Sequence, residues 1–228
     1  MKTILITGAS GNLGTEAIKS LHRQGLRVCA TTGSVPLTEA VAPLVANAQK
    51  VDLTNEQAVQ AYIENLAVEY PDLAGAVLLV GGFAAGDLHT TDGAAIDKQI
   101  ALNFKTAYFV VRSLITHFEA RGGGQFVLIG ARPALDPEAG KDLVAYALSK
   151  ALVMHLAKLI NAFGYGKGIH ATVLVPSTID TPANRQAMPD ADASRWVKSE
   201  DIAETIGFVL SDTGSVLRDS ILKVYNEA

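Results

Sequence analysis

A chain of 228 residues, 49% hydrophobic and 18% charged, with 20 Gly, 8 Pro and one Cys, is short for two ordinary domains and long enough for one large core. A single Cys rules out an internal disulfide, and no His/Cys cluster falls at metal-ligand spacing, so a reducing compartment and no metal site are expected. Nineteen Lys and Arg against 23 Asp and Glu leave a formal charge of −4 without basic runs, which argues against nucleic acid or an anionic membrane as the main partner. The first apolar run, residues 3–7, ends at Gly8 with no cleavage-site pattern after it, so it reads as a strand and not as a leader. Further strands are predicted at 27–31, 48–51, 76–80, 125–129, 170–175 and 221–225. They are mostly apolar on both faces, as buried parallel strands are. Amphipathic helical patterns lie between them at 13–24, 55–70, 94–120, 143–163 and 200–210. Thr54 and Gln57 have the spacing of a capping box at the start of the second. No apolar stretch reaches the roughly 18 residues needed to span a bilayer. The alternation predicts one doubly wound α/β domain over 1–228, a Rossmann-like three-layer sandwich of about seven parallel strands, expected in the cytoplasm. Residues 176–195 lack a period and carry Pro176, Pro182 and Pro189; a loop of that length is a substrate lid or an ordinary surface excursion.

Glycine placement carries the first chemical signal. Strand one runs into Thr7-Gly8-Ala9-Ser10-Gly11-Asn12-Leu13-Gly14 and then a helix. Glycines at 8, 11 and 14 let backbone turn tightly and approach a pyrophosphate facing the helix N-terminus. Dinucleotide folds that bind NAD place an acidic residue at the end of the second strand, for the ribose hydroxyls. Here Thr31-Thr32-Gly33-Ser34 stands there, and no acid occurs before Glu39. A carboxylate would repel a 2′-phosphate and hydroxyls would not, so NADP is favoured over NAD, although no Arg or Lys clamp is evident beyond Arg27. A second signal is Tyr146-Ala147-Leu148-Ser149-Lys150, where i, i+4 spacing puts Tyr146 and Lys150 on one helical face. A nearby ammonium lowers a phenol's pKa from about 10 toward the working range of an acid–base catalyst.

These ordered motifs resemble the short-chain dehydrogenase/reductase family over essentially the whole chain. The resemblance implies a cofactor cleft formed by Gly8, Ser10, Gly11, Asn12, Leu13, Gly14, Thr32, Asp52, Leu53, Val80, Gly81 and Gly82. Tyr146, Lys150, Pro176, Thr178, Ile179 and Thr181 would complete it. Asp52 matches the adenine-binding aspartate, and Gly81-Gly82 stands where the family has small residues against the cofactor. Tyr146 and Lys150 match the catalytic pair, and Asn103 matches an asparagine that holds a proton-relay water. Ser177 replaces a glycine in the segment whose later threonine, here Thr181, contacts the nicotinamide. Aligning the end of strand five puts Ala131 where the family has its catalytic serine. Loss of such a donor costs roughly 10²- to 10³-fold in other systems unless another group supplies it. Dihydropteridine reductases form a subgroup that also lacks this serine. The chain is similar to them at residues 80–86, at 130–136 and above all at 179–189. That subgroup prefers NADH through an acid after strand two, where this chain has Thr32, so its cofactor preference does not carry over.

The expected activity is hydride transfer from NADP(H), or NAD(H), to a small carbonyl or quinonoid pterin-like substrate, with Tyr146 as proton donor. Phe83, Ala131, Arg132 and Asn184 are the expected substrate contacts, and residues 176–198 the expected substrate lid. An alternative keeps the fold without turnover: a regulatory or redox-sensing protein that binds the dinucleotide. His117, His155 and Cys29 read as packing or surface residues, and Trp196 as packing at the end of the lid. The apolar girth of helices 94–120 and 143–163 predicts self-association, as a dimer or a tetramer.

Overall fold

The computed structural model describes residues 1–218 and 220–227. Its strands are β1 (Thr3–Thr7), β2 (Arg27–Thr32), β3 (Asn47–Lys50), β4 (Leu73–Leu78), β5 (Gly124–Ile129), β6 (Ile169–Pro176), β7 (Ile179–Asp180), β8 (Val197–Lys198) and β9 (Ser220–Val224). All but β7 and β8 form one parallel sheet in the order β3-β2-β1-β4-β5-β6-β9. The helices are α1 (Asn12–Arg23), α2 (Glu56–Glu69), α3 (Gly93–Gln99), α4 (Thr106–Ala120), α5 (Pro137–Gly140), α6 (Val144–Gly164), α7 (Pro182–Ala187) and α8 (Ser199–Leu210). After β3 the chain crosses back over β1 to begin β4 on its other side. That reversal opens a crevice at the carboxyl ends of β1 and β4, where open α/β sheets bind ligands.

Alternation along each strand separates two cores. Leu5, Cys29, Ala76, Leu78, Phe126, Leu128 and Val173 pack against α2, α4 and α6 on one face. Ile4, Ile6, Val28, Ala30, Val77, Val127 and Leu174 pack against α1 and α8 on the other. Neighbouring residues of one strand serve opposite layers because strand side chains alternate with period two. Phe126 is fully buried, with its ring 5.0 Å from that of Phe118. Phe126→Ala is expected to cost about 3–5 kcal/mol of unfolding free energy, measured by chemical denaturation. A loss below about 1 kcal/mol would contradict the packing described.

Several elements differ from the sequence-based expectation. Edge strand β3 reads Asn-Ala-Gln-Lys and is mostly exposed, so it is not apolar on both faces. The second helix is capped by Asn55, whose Oδ1 accepts from Ala58 N, while Thr54 turns back to Asp52; the Thr54–Gln57 box does not form. The long helix expected at 94–120 is interrupted by a π-helical turn, Ile100–Lys105, between α3 and α4. Residues 176–198 are not an irregular loop. β7 and β8 pair in parallel across the base of the excursion, Ile179 with Val197 and Asp180 with Lys198, and α7 lies between them. Thr181 caps α7, its Oγ1 accepting from Asn184 N at 3.2 Å. Among the described residues no helix is long and apolar enough to cross a membrane.

Candidate active site

Strand β1 delivers the glycine turn. Gly8 has φ +66°, a left-handed conformation that favours glycine, and a Cβ there would press on Val80 at 3.2 Å. Gly14 is more constrained, because a Cβ would lie 2.5 Å from Gly8 O and 2.7 Å from Ala9 Cα. Among the described residues no side chain caps α1, so the first N–H groups of that helix can face an anion. Across the crevice, Thr7 Oγ1 accepts from Leu79 N at 3.2 Å and locks the turn to the end of β4.

The π turn places Asn103 at the centre of the site. An extra residue in one turn rotates side chains that a regular helix would orient differently. Asn103 is 1% exposed. Its Oδ1 accepts from Gly82 N at 2.8 Å, and its Nδ2 lies 3.0 Å from Gly82 O, 2.8 Å from Gln99 Oε1 and 3.0 Å from Ser149 Oγ. One amide therefore joins the β4 exit, the π turn and α6. The small residues at 81 and 82 have a protein reason as well. A Cβ on Gly81 would meet Asn103 Oδ1 at 2.6 Å and Lys150 Nζ at 3.2 Å, and one on Gly82 would meet Leu102 at 2.5 Å.

Helix α6 contributes Tyr146 and Lys150. The Lys150 ammonium is buried, donates to Ile129 O at 2.9 Å, and has no carboxylate in ion-pair range among the described residues. Burial pulls its pKa down to about 8, because the charged form loses solvation. Burial pushes the Tyr146 phenol up to about 12. The expected lowering of Tyr146 by Lys150 is therefore not a property of the chain by itself: desolvation dominates, and the ammonium is directed at the Ile129 carbonyl. The Tyr146 ring meets Phe83 edge to face at 5.3 Å, and Phe83 is 67% exposed. That pair makes an aromatic wall open to solvent.

Ala131 is buried just beyond β5 and brings only a methyl group to this end of the site. Arg132 is half exposed, 3.9 Å from Asp136 and with its guanidinium 5.7 Å from the Tyr225 ring centroid. Pro176 pairs with Val224 in the sheet, and Thr178 O accepts from Val197 N at 3.0 Å. The Asn184 amide donates to Ile179 O at 2.8 Å, so its side chain braces the 176–198 segment. Ser177 Oγ donates to Tyr225 O at 2.6 Å. His117 Nε2 lies 2.9 Å from Leu73 O, His155 is exposed, and Cys29 and Trp196 are buried.

A cavity of about 400 Å³ opens beyond the ends of β2, β3 and β4, with Gly8, Thr32, Asp52, Leu53 and Val80 among its walls. Thr31 and Ser34, from the stretch that replaces the acid after strand two, also line it, as does Lys50, which drew no notice in the sequence. Thr31 is 1% exposed and its Oγ1 has no hydrogen-bond partner among the described residues. Asp52 Oδ1 accepts from Thr54 N and Oγ1, which holds its carboxyl below the usual range. Arg27 is removed as a clamp. It lies at the opposite, amino end of β2, 3.2 Å from Asp72. A larger groove, about 620 Å³, runs between α2 and α4 and contains none of the predicted site residues.

Residues 2–192 match the family model described as short chain dehydrogenase. A dihydropteridine reductase from Dictyostelium discoideum is 27% identical over 212 residues, 90% of this chain and 86% of that one. A short-chain type dehydrogenase/reductase from Mycobacterium ulcerans superposes with TM-score 0.87 at 22% identity, covering 99% of this chain and 89% of its own. ElxO with NADP bound superposes with TM-score 0.88 at 19% identity, covering 99% and 97%.

Proposed function

The chain belongs to the short chain dehydrogenase family, and from that premise we propose that it reduces a small carbonyl or a quinonoid pterin-like compound with NADPH. The residues present fit a dinucleotide. The Gly8–Gly14 turn is a cradle that Cβ atoms would fill, and among the described residues no side chain caps the start of α1. When bound, the nicotinamide supplies the hydride, and the protein supplies position and protons.

Tyr146 is the proton donor. With its pKa pushed up to about 12 by burial, the phenol carries its proton throughout the physiological range. The Lys150 ammonium, seated between Ile129 O and the Gly81 turn, provides the charge that favours proton release from that phenol as substrate negative charge develops. Asn103 holds Gly82 and Ser149 in register, so its amide is a positioning group.

The observation that carries the substrate reading is the solvent-open Phe83–Tyr146 wall, in a chain with Ala131 just beyond β5. A site without the usual second hydroxyl donor suits a substrate that is already electron-poor, such as a quinonoid ring, which also stacks on an aromatic wall. Similarity to a dihydropteridine reductase supports this choice. Leu148, Leu152, Leu159 and Phe163 of α6 and Tyr108 of α4 are exposed, which supports self-association through these helices. The test is NADPH oxidation by the purified protein with quinonoid dihydropterin, quinones, aldehydes and ketones. Fastest turnover with the quinonoid compounds is expected. Tight NADPH binding without oxidation by any of them would favour the redox-sensing alternative, which the missing hydroxyl at Ala131 also fits.

A further inference from the structure

We propose that Lys50, at the carboxyl end of edge strand β3, is the residue that selects a 2′-phosphorylated dinucleotide. The inference rests on the dinucleotide reading of the cleft and adds the residue that chooses between its two forms. Parallel register places Lys50 directly beside Thr32, the position at which NAD-binding folds carry their acid. Both residues wall the cavity of about 400 Å³ that continues from the glycine turn. Lys50 is exposed and has no ion-pair partner among the described residues, so its charge is not engaged elsewhere.

The rest of the wall agrees with an anion at this spot. Thr32, Ser34 and Thr54, all bearing hydroxyl groups, stand with Lys50 among its walls. The single carboxylate of the wall, Asp52, faces its own turn, with Oδ1 held by Thr54 at 2.6 and 2.9 Å. One unpaired ammonium among hydroxyl groups recognises a phosphate as a point charge; the neutral hydroxyl of NADH offers it much less.

Dissociation constants for NADPH and NADH, measured by calorimetry on the native protein and on Lys50→Gln and Lys50→Arg, test the proposal. Native protein is expected to bind NADPH at least about 10-fold more tightly than NADH, since a charge-assisted contact contributes about 10- to 100-fold. Lys50→Gln should lose most of that ratio through weaker NADPH binding, with NADH affinity within about twofold, and Lys50→Arg should keep it. Raising salt should weaken NADPH more than NADH in the native protein and equally in Lys50→Gln. An unchanged ratio in Lys50→Gln, or a native preference for NADH, overturns the assignment to Lys50 while leaving the dinucleotide reading intact. Native protein that binds neither nucleotide overturns both.

Discussion

Lys150→Met is expected to yield a protein that is more stable than the native chain at neutral pH and nearly inactive. The native ammonium is buried without a carboxylate, and its pKa falls from 10.5 to about 8. That fall corresponds to about 3 kcal/mol of unfavourable burial of charge. Met fills similar volume and removes the charge, but it also leaves the Ile129 carbonyl without its donor, which takes back about 1 kcal/mol. The net gain is expected at about 1–2 kcal/mol by denaturant titration. Its pH dependence has a definite sign. Between pH 8 and 10.5 the unfolded chain holds a proton on Lys150 that the folded chain has released, so native stability rises with pH in that window. The variant lacks this slope, and its advantage should narrow from pH 8 upward. Reduction should fall by at least about 10²-fold, because nothing then favours release of the Tyr146 proton. A variant less stable than native at pH 7 would show that Lys150 is not a strained charge.

Tyr146→Phe separates proton transfer from binding. The phenol oxygen has no hydrogen-bond partner among the described residues, so removing it should leave the melting temperature unchanged within error. The ring remains to pack against Phe83. Turnover is expected to drop by about 10²- to 10⁴-fold, the usual contribution of a positioned acid, while NADPH affinity stays within about twofold. Retention of native turnover would remove Tyr146 from its role and leave Lys150 without a group to assist.

The sheet was legible because each of its inner strands is an apolar run buried on both faces and each sits between helical patterns. Edge strand β3 was placed by its position in the alternation and not by hydrophobicity, and its Lys50 carried no signal of its own. Only the pairing of Thr32 with Lys50 shows that this cation reaches the same cavity, and parallel register is not written in either segment alone. Arg27 misled for the complementary reason: it is close in sequence to the cavity residues but at the wrong end of the strand. The π turn at Ile100–Lys105 was hidden by an apolar pattern that a regular helix satisfies nearly as well. Asn103 was picked out by resemblance, yet its four contacts with Gly82, Gln99 and Ser149 depend on that turn. Gly81 and Gly82 were expected to be small for the sake of a ligand. Asn103 and Leu102 already occupy the space a side chain would need. The order within residues 176–198 comes from two-residue strands and a six-residue helix, too short to impose a period.

The most direct test of catalysis over mere binding is a single turnover. NADPH is first bound to an excess of native protein, quinonoid dihydropterin is added, and the absorbance of the reduced nicotinamide is followed. Its complete decay, one NADPH consumed per pterin reduced, is the predicted result. Bound NADPH that persists unchanged in the presence of the pterin, the quinones and the aldehydes would contradict a reductase and leave a dinucleotide-binding protein in its place.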